Sequence, residues 1–331
     1  MKAQLSTFKD KYQDKSRDEI LEEMFDLYEE KEKLEKELKK YKNANTPSSA
    51  NKHLKASTQG LRAKKGAKRG APKKHKGATF IWPASDETRR AGEKLEPLYK
   101  ELEEEIKNAD VVQGDETSHS VNGINHWIWV FCNHLISLFK FKEQRGGDIV
   151  EQTLGKGFKG KLVSDGWMTY TSYANENKVV HQRCLDHLRR EVKHECKEKH
   201  PDLYSWCCDI YFMVRKGKGY KQKKRRLAMH SRCKAELAML IASMKSHRNL
   251  RKLASKIENG GDKWFSCILH PELPMDNNEA ERSLRPLVVM RKIIGCLRSE
   301  LGVKTHEIMM SLISTWEKQN KNVFYSLQAR L

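Results

Sequence analysis

Short apolar runs broken by polar residues dominate residues 110–185. Val111 and Val112 open a short strand that ends in Gly114-Asp115. After Asn122-Gly123, a dipeptide that favours a type I′ hairpin turn, residues 126–132 form a nearly unbroken apolar run. A third strand is predicted over residues 135–141, a short helix over 148–154, and a strand over 161–164 that runs straight into Asp165-Gly166. A short helical or turn segment then leads to a fifth strand at residues 178–181.

Longer periods flank this block. Residues 86–108 read as one charged helix with Leu95, Leu98, Leu102 and Ile106 on a single stripe. Residues 186–258 read as mostly helical, with Leu188, Val192 and Cys196 at helical spacing. A further helix enters after a loop at residues 275–282, and Pro286 is expected to end or kink it. The last helix, from about Thr305, carries an apolar face of Ile308, Met309, Leu312, Ile313 and Trp316 that should pack on the sheet. The order β-β-β-α-β-α-β is the one a ribonuclease-H-like fold requires. The predicted class is therefore α/β: a mixed ribonuclease-H-like sheet over residues 86–331, with a helical insertion at about 186–270.

Upstream, Ile20, Met24, Leu27, Leu34, Leu38 and Tyr41 alternate at four and three, broken only by Lys31, while Ser16 and Glu19 form a capping-box pattern. Residues 1–43 thus read as a coiled-coil helix that joins copies of the chain through residues 16–43. An amphipathic helix docked on its own domain gives the same pattern. Residues 44–85 contain no acid but ten Lys and Arg among Gly, Ala, Pro and Ser, a composition expected to be a disordered basic linker.

Charge sharpens the picture. Among 331 residues, 64 Lys and Arg against 44 acids give a formal charge of +20, so a polyanion is the natural partner and nucleic acid the leading candidate. No apolar run approaches the length of a membrane span, and no signal core opens the chain, so a soluble, cytoplasmic protein is expected. The eight cysteines are scattered, which favours free thiols. Lys64, Lys65, Lys68, Arg69, Lys73, Lys74 and Lys76 in the linker are candidate phosphate contacts, as are Lys223, Lys224, Arg225 and Arg226 in an acid-free stretch of the insertion.

Asp115 and Asp165 each follow a hydrophobic strand. On neighbouring strands their carboxylates would converge, and a third acid from a later helix would complete a hard-cation site. Glu281 is the candidate third acid, with Glu279 in reserve. Each has a plainer explanation: aspartates are common at turns, and Glu281 is also spaced to close a capping box with Asn278. Cys184 and His187 are spaced like half of a zinc site, but a buried thiol beside a hydrogen-bonded imidazole accounts for them equally well. Of Trp127, Trp129 and Trp167, at least one of the first two should be core.

The motifs are more specific. Gly114-Asp115-Glu116-Thr117 with Val121-Asn122-Gly123 and the Trp-rich strand, then Ser164-Asp165-Gly166-Trp167-Met168-Thr169-Tyr170, resemble the first two catalytic blocks of the insertion-sequence-66 transposases. Cys184, His187, Arg189 and Arg190 resemble the C-x-x-H-x-R-R stretch that follows, and residues 276–286 match the D-N-N-x-x-E-R-x-L-R-P block. The Pro-Ser-Ser stretch and residues 69–77 resemble the family's leader, with Ala71 and Lys74 as departures. The cysteine-bearing zinc ribbon and helical section usual before the first aspartate are missing, so the resemblance is to a shortened member.

The resemblance implies a DDE-type enzyme that cleaves and transfers DNA strands, with Asp115, Asp165 and Glu281 holding Mg²⁺ (or Mn²⁺), two ions in all. It implies transposon ends and target DNA as partners, and Arg282, Arg285, Arg291 and Lys292 near the phosphates. Two other readings stay open: a shortened, catalytically inactive DNA-binding relative acting as regulator or remnant, and a structure-selective DNA nuclease.

Overall fold

A computed structural model describes residues 86–146 and 148–331, all within one compact unit spanning 78–331. The expected coiled coil, the basic linker and its seven candidate cations lie outside the described residues. The first described element is helix α1 (Asp86–Lys107), which buries Leu95, Tyr99, Leu102 and Ile106.

The sheet begins with β1 (Val111–Val121), β2 (Ile124–Cys132) and β3 (Ser137–Lys142), an antiparallel meander. Asn122 and Gly123 make the first turn with φ of 48° and 80°, the left-handed conformation that a type I′ turn demands. Between β2 and β3 the Asn133 Oδ1 accepts from the backbone N–H of Leu135 and of Ile136, both at 2.9 Å. Those donors close a turn, so β3 starts at Ser137 rather than at 135.

Helix α2 (Asp148–Leu154), β4 (Lys161–Ser164), α3 (Met168–Glu176) and β5 (Val180–Arg183) follow. The last strand begins two residues later than expected because Lys178 sits at φ 55° and turns the chain. β4 runs parallel to β1 and β5 parallel to β4, giving the strand order β3-β2-β1-β4-β5 in a mixed sheet. Residues 185–269 are helical: α4 (Leu185–Cys196), α5 (Pro201–Lys218), α6 (Lys223–Ser246), α7 (Arg251–Glu258) and the single turn α8 (Ser266–Leu269). They share one core in which Leu188, Val192, Ile210, Leu240 and Ile257 are buried together with Val163 of β4.

Helix α9 (Asn278–Ile294) runs through Pro286, so of the two outcomes expected of the proline, ending the helix does not occur. Leu284 and Leu287 on either side are buried with Ala280 against Ile128 and Val130 of β2. Arg282, whose carbonyl loses its usual N–H partner at Pro286, is exposed, so water can serve it. A two-residue strand, β6 (Cys296–Leu297), returns to pair with β1 at Ser120 and Val121.

Helix α10 (Glu300–Lys318) is capped by Ser299, whose hydroxyl accepts from the Gly302 N–H, and α11 (Val323–Gln328) follows it. On α10, Glu307, Ser311 and Thr315 are spaced four apart and so share a face. They accept from the backbone N–H groups of Phe141 (2.7 Å), Phe139 (2.9 Å) and Ser137 (3.1 Å). These are the outward donors of edge strand β3, so the helix side chains stand in for a missing strand.

Candidate active site

The β1–β4 ladder fixes the two aspartates. Its last pair is Gly114↔Ser164, so Asp115 and Asp165 are the next residues on adjacent parallel strands. Asp115 does not end its strand, as its sequence context suggested. β1 continues to Val121, paired with β2 throughout, and only its parallel neighbour stops. Polar residues 116–120 hid this extension. Between the β4 and β6 pairings, one side of β1 has no strand neighbour, and Asp115 opens that gap.

Alternation along β1 sends Gln113, Asp115 and Thr117 to one face and Gly114 and Glu116 to the other. Helix α9 covers the first face. The Gln113 amide donates to Glu279 (3.2 Å), and Arg291 donates to Thr117 Oγ1 (3.2 Å) and to the Ser118 carbonyl. Asp115 lies between these anchors. Burial pushes its carboxyl up to about 8, and the charges of Glu116, Asp165 and Glu281 push the same way. The Glu116 N–H, 3.0 Å from Asp115 Oδ1, opposes them. Asp165 is turned by the Trp167 N–H, which donates to its Oδ1 at 2.8 Å.

Glu281 does not cap its own helix. Asn277, not Asn278, is the N-cap, and it makes no side-chain cap bond. Instead the Glu281 carboxylate accepts from Arg190 at 2.6 Å and stands 3.6 Å from His187 Nε2, both on α4. The reserve acid Glu279 is engaged elsewhere, by Gln113 and by Lys318 at 3.2 Å. Burial of Cys184 and the contact of His187 with Glu281 give each member of that pair a role within the fold.

On the opposite face of β1 is a group that the sequence did not reveal. The Glu116 side chain, 1% exposed, accepts from Arg145 (3.0 and 2.5 Å) and from Tyr170 Oη (2.8 Å). The Arg145 guanidinium stacks between Trp127 (4.5 Å) and Trp167 (3.6 Å). Burial raises the Glu116 carboxyl against the pull of Arg145. Gly114 makes room for this group, since a Cβ there would lie 2.7 Å from the Tyr170 ring. Trp129 is buried in the core, and Trp127, two residues away on the same face of β2, packs partly buried against it. Only the local spacing of Asp115-Glu116 and of Trp167 and Tyr170 hinted at the group, because Arg145 joins from another loop.

The expected phosphate contacts are dispersed. Arg282, Arg285 and Lys292 are exposed on α9, whereas Arg291 clamps α9 to β1. Lys223, Lys224 and Arg225 are exposed in the first turn of α6, not in a loop, and Arg226 closes the preceding turn by donating to the carbonyls of Tyr220 (3.0 Å) and Lys221 (2.8 Å).

For a divalent cation, the donor set is chemically suitable: buried carboxylate oxygens, short of positive charge on the Asp115 side. Among the described residues, no group of three or more His, Cys, Asp or Glu side chains stands ready-made to hold a metal ion. Asp115 and Asp165 fit as a pair, and Glu281 would join them by leaving Arg190. Among the described residues, no helix is long and apolar enough to cross a membrane.

A 94-residue stretch is 27% identical to an uncharacterized protein, y4jO, of Sinorhizobium fredii (strain NBRC 101917 / NGR234), covering 28% of this chain and 29% of that one. The match therefore spans under a third of that relative's length. The model of the family described as Transposase IS66 family matches residues 84–305, which include β1 through the start of α10 and all three candidate acids. The chain therefore belongs to the Transposase IS66 family.

Proposed function

We propose that the chain is a DDE-type DNA transposase, cleaving and transferring DNA strands, with Asp115, Asp165 and Glu281 as its catalytic acids. One observation carries the reading: the two aspartates follow the last rung of a parallel ladder, and the charge of Glu281 from α9 reaches the first of them. The strand order β3-β2-β1-β4-β5 supports a ribonuclease-H-like catalytic domain over residues 86–331, with the helices of about 186–270 as its insertion. Mg²⁺ (or Mn²⁺) bound by these acids, as two ions, would stabilise the attacking and leaving oxygens of an in-line displacement at phosphorus.

The chain's own groups prepare that event. Burial and neighbouring acids favour a proton on Asp115 at neutral pH until positive charge arrives. Arg190 and His187 hold Glu281 at the α4 side, so all the acids are poised but not yet gathered. Arg145 neutralises Glu116, which keeps the strand bearing Asp115 in place. Arg282, Arg285 and Lys292 are proposed to position backbone phosphates, as are the linker cations and Lys223, Lys224 and Arg225. Transposon ends and target DNA are the proposed partners, and residues 16–43 the proposed site of self-association.

The grip of Arg190 on Glu281 favours a second reading, a DNA-binding relative without strand chemistry. Incubation of the full chain with Mg²⁺ and family end sequences tests both. Nicking and strand transfer that vanish in Asp165→Asn support the enzyme. Equal products from Asp165→Asn and the native chain contradict the assigned site.

A further inference from the structure

Arg183 ends β5 and pairs in register with Ser164, so it lies beside the Asp165 turn. It is 4% exposed, and although the charges of Asp165 and Glu191 act on it, it makes no direct ion pair with a described residue. Its guanidinium lies 4.4 Å from the centre of the Trp264 ring and donates to the Gly166 carbonyl at 3.3 Å, while its Nε has no partner. Two glycines are shaped around it. A Cβ at Gly166 would stand 2.1 Å from Arg183 Nη2, and one at Gly260 would meet first Trp264 Nε1 at 2.0 Å and then Arg183 Nη1 at 2.9 Å. Neither glycine has the positive φ that would explain it by backbone conformation. The carboxylates of Asp165 and Glu191 act on Arg183 electrostatically without bonding to it, which leaves its donors open to a further anion.

The surroundings identify the anion. Arg183 and Asp165 line one cleft of about 650 Å³, whose opposite wall is α7 with Arg251, Lys252 and Lys256. A second hollow of about 530 Å³ shares His187, Glu191, Lys252 and Lys256 with it and adds Arg190 and His194. Lys256 is paired with Glu191, and Arg251 donates to the Lys245 carbonyl. Lys252 is exposed and makes no hydrogen bond or ion pair to any described residue. The two hollows share part of their lining and lead from Asp165 out between α4 and α7, with the buried Arg183 in the first and the exposed Lys252 in both. Cations along one wall suit the phosphates of a strand, and a recessed cleft suits a flexible single strand better than the convex face of a duplex.

We infer that this cleft binds a single DNA strand, with Arg183 holding a phosphate next to Asp165 and Lys252 holding one further along α7. The inference deepens the transposase reading and rests on it for the identity of the strand. Its test is read without metal, so the two fail separately. The full chain is mixed in EDTA with a single-stranded DNA oligonucleotide of about 20 nucleotides, roughly the length at which several phosphates can be engaged. Bound DNA is expected to protect Lys252 from an amine-reactive label. Arg183→Gln and Lys252→Ala are each expected to weaken binding about tenfold and to lower the salt slope by about 0.7, as loss of one phosphate contact requires. Equal labelling of Lys252 with and without DNA, together with native affinity and slope in Lys252→Ala, overturns the inference even if Arg183→Gln fails to fold. Unchanged strand cleavage in Asp165→Asn would instead remove the metal-dependent reading and leave this binding result standing.

Discussion

Gly114 and Ser164 face each other across the last rung of the β1–β4 ladder, and the residue after each is an aspartate. Two like charges set side by side in a buried place are a liability unless something positive joins them.

Arg190 supplies part of the positive charge at Glu281, at 2.6 Å. Replacing it by Gln removes a competitor for the carboxylate. Because the arginine is half exposed, the metal-free protein should lose at most about 1 kcal/mol. The stabilisation by Mg²⁺ should increase, since the cation no longer displaces a bound guanidinium. Thermal unfolding in EDTA and in Mg²⁺ checks this, and a smaller Mg²⁺-induced rise in Tm than in the native chain contradicts it.

Glu116 accepts three hydrogen bonds in a nearly dry place. Glu116→Gln keeps the shape but leaves Arg145 without its charge partner, a loss of about 2–3 kcal/mol. Urea unfolding reads the loss directly, and a native midpoint would mean that the cluster contributes little.

Glu307 joins α10 to β3 and α1, accepting from the Phe141 N–H at 2.7 Å and from Tyr99 Oη at 2.6 Å. Glu307→Ala strands the Phe141 N–H, while Tyr99 Oη keeps the Phe139 carbonyl at 3.0 Å, and should cost about 1–3 kcal/mol by the usual penalty for an unmet buried group. Tyr99→Phe should cost less, because only the hydroxyl leaves. Denaturant midpoints in the reverse order would refute this.

Two buried imidazoles set an acid limit. Burial, the largest cause for each, lowers His181 to about 3 and His306 to about 4. The unfolded chain therefore takes up more protons than the folded one as pH falls below about 6.5. Stability from this source is complete above that pH and drains away as pH falls towards 4, at up to about 1.4 kcal/mol per pH unit for each histidine. Urea midpoints between pH 7 and 4 should fall accordingly, and less in His306→Gln. A flat profile would contradict the burial argument.

Much of this was legible in the sequence. The apolar run of β2, the Asn122-Gly123 turn and the four residues of β4 each write their structure locally. The aspartates could be named because each borders an apolar strand. What escaped notice depends on distant partners. Residues 116–120 look like a loop until β2 pairs with them and Arg145 covers Glu116. Pro286 persists in a helix because leucines on either side are buried. Arg183 carries no local mark at all: its significance comes from Gly166, Gly260 and Trp264, which the fold brings in from elsewhere.

Asp115, Asp165 and Glu281 are proposed to share divalent cations. Titration of the full chain with Mn²⁺, followed by the electron paramagnetic resonance of the free ion, tests it most directly. Saturable binding that weakens at least about tenfold in Asp115→Asn, in Asp165→Asn and in Glu281→Gln is the result expected when one of few carboxylate ligands is lost. Binding of equal strength in the native chain and in all three variants would contradict it.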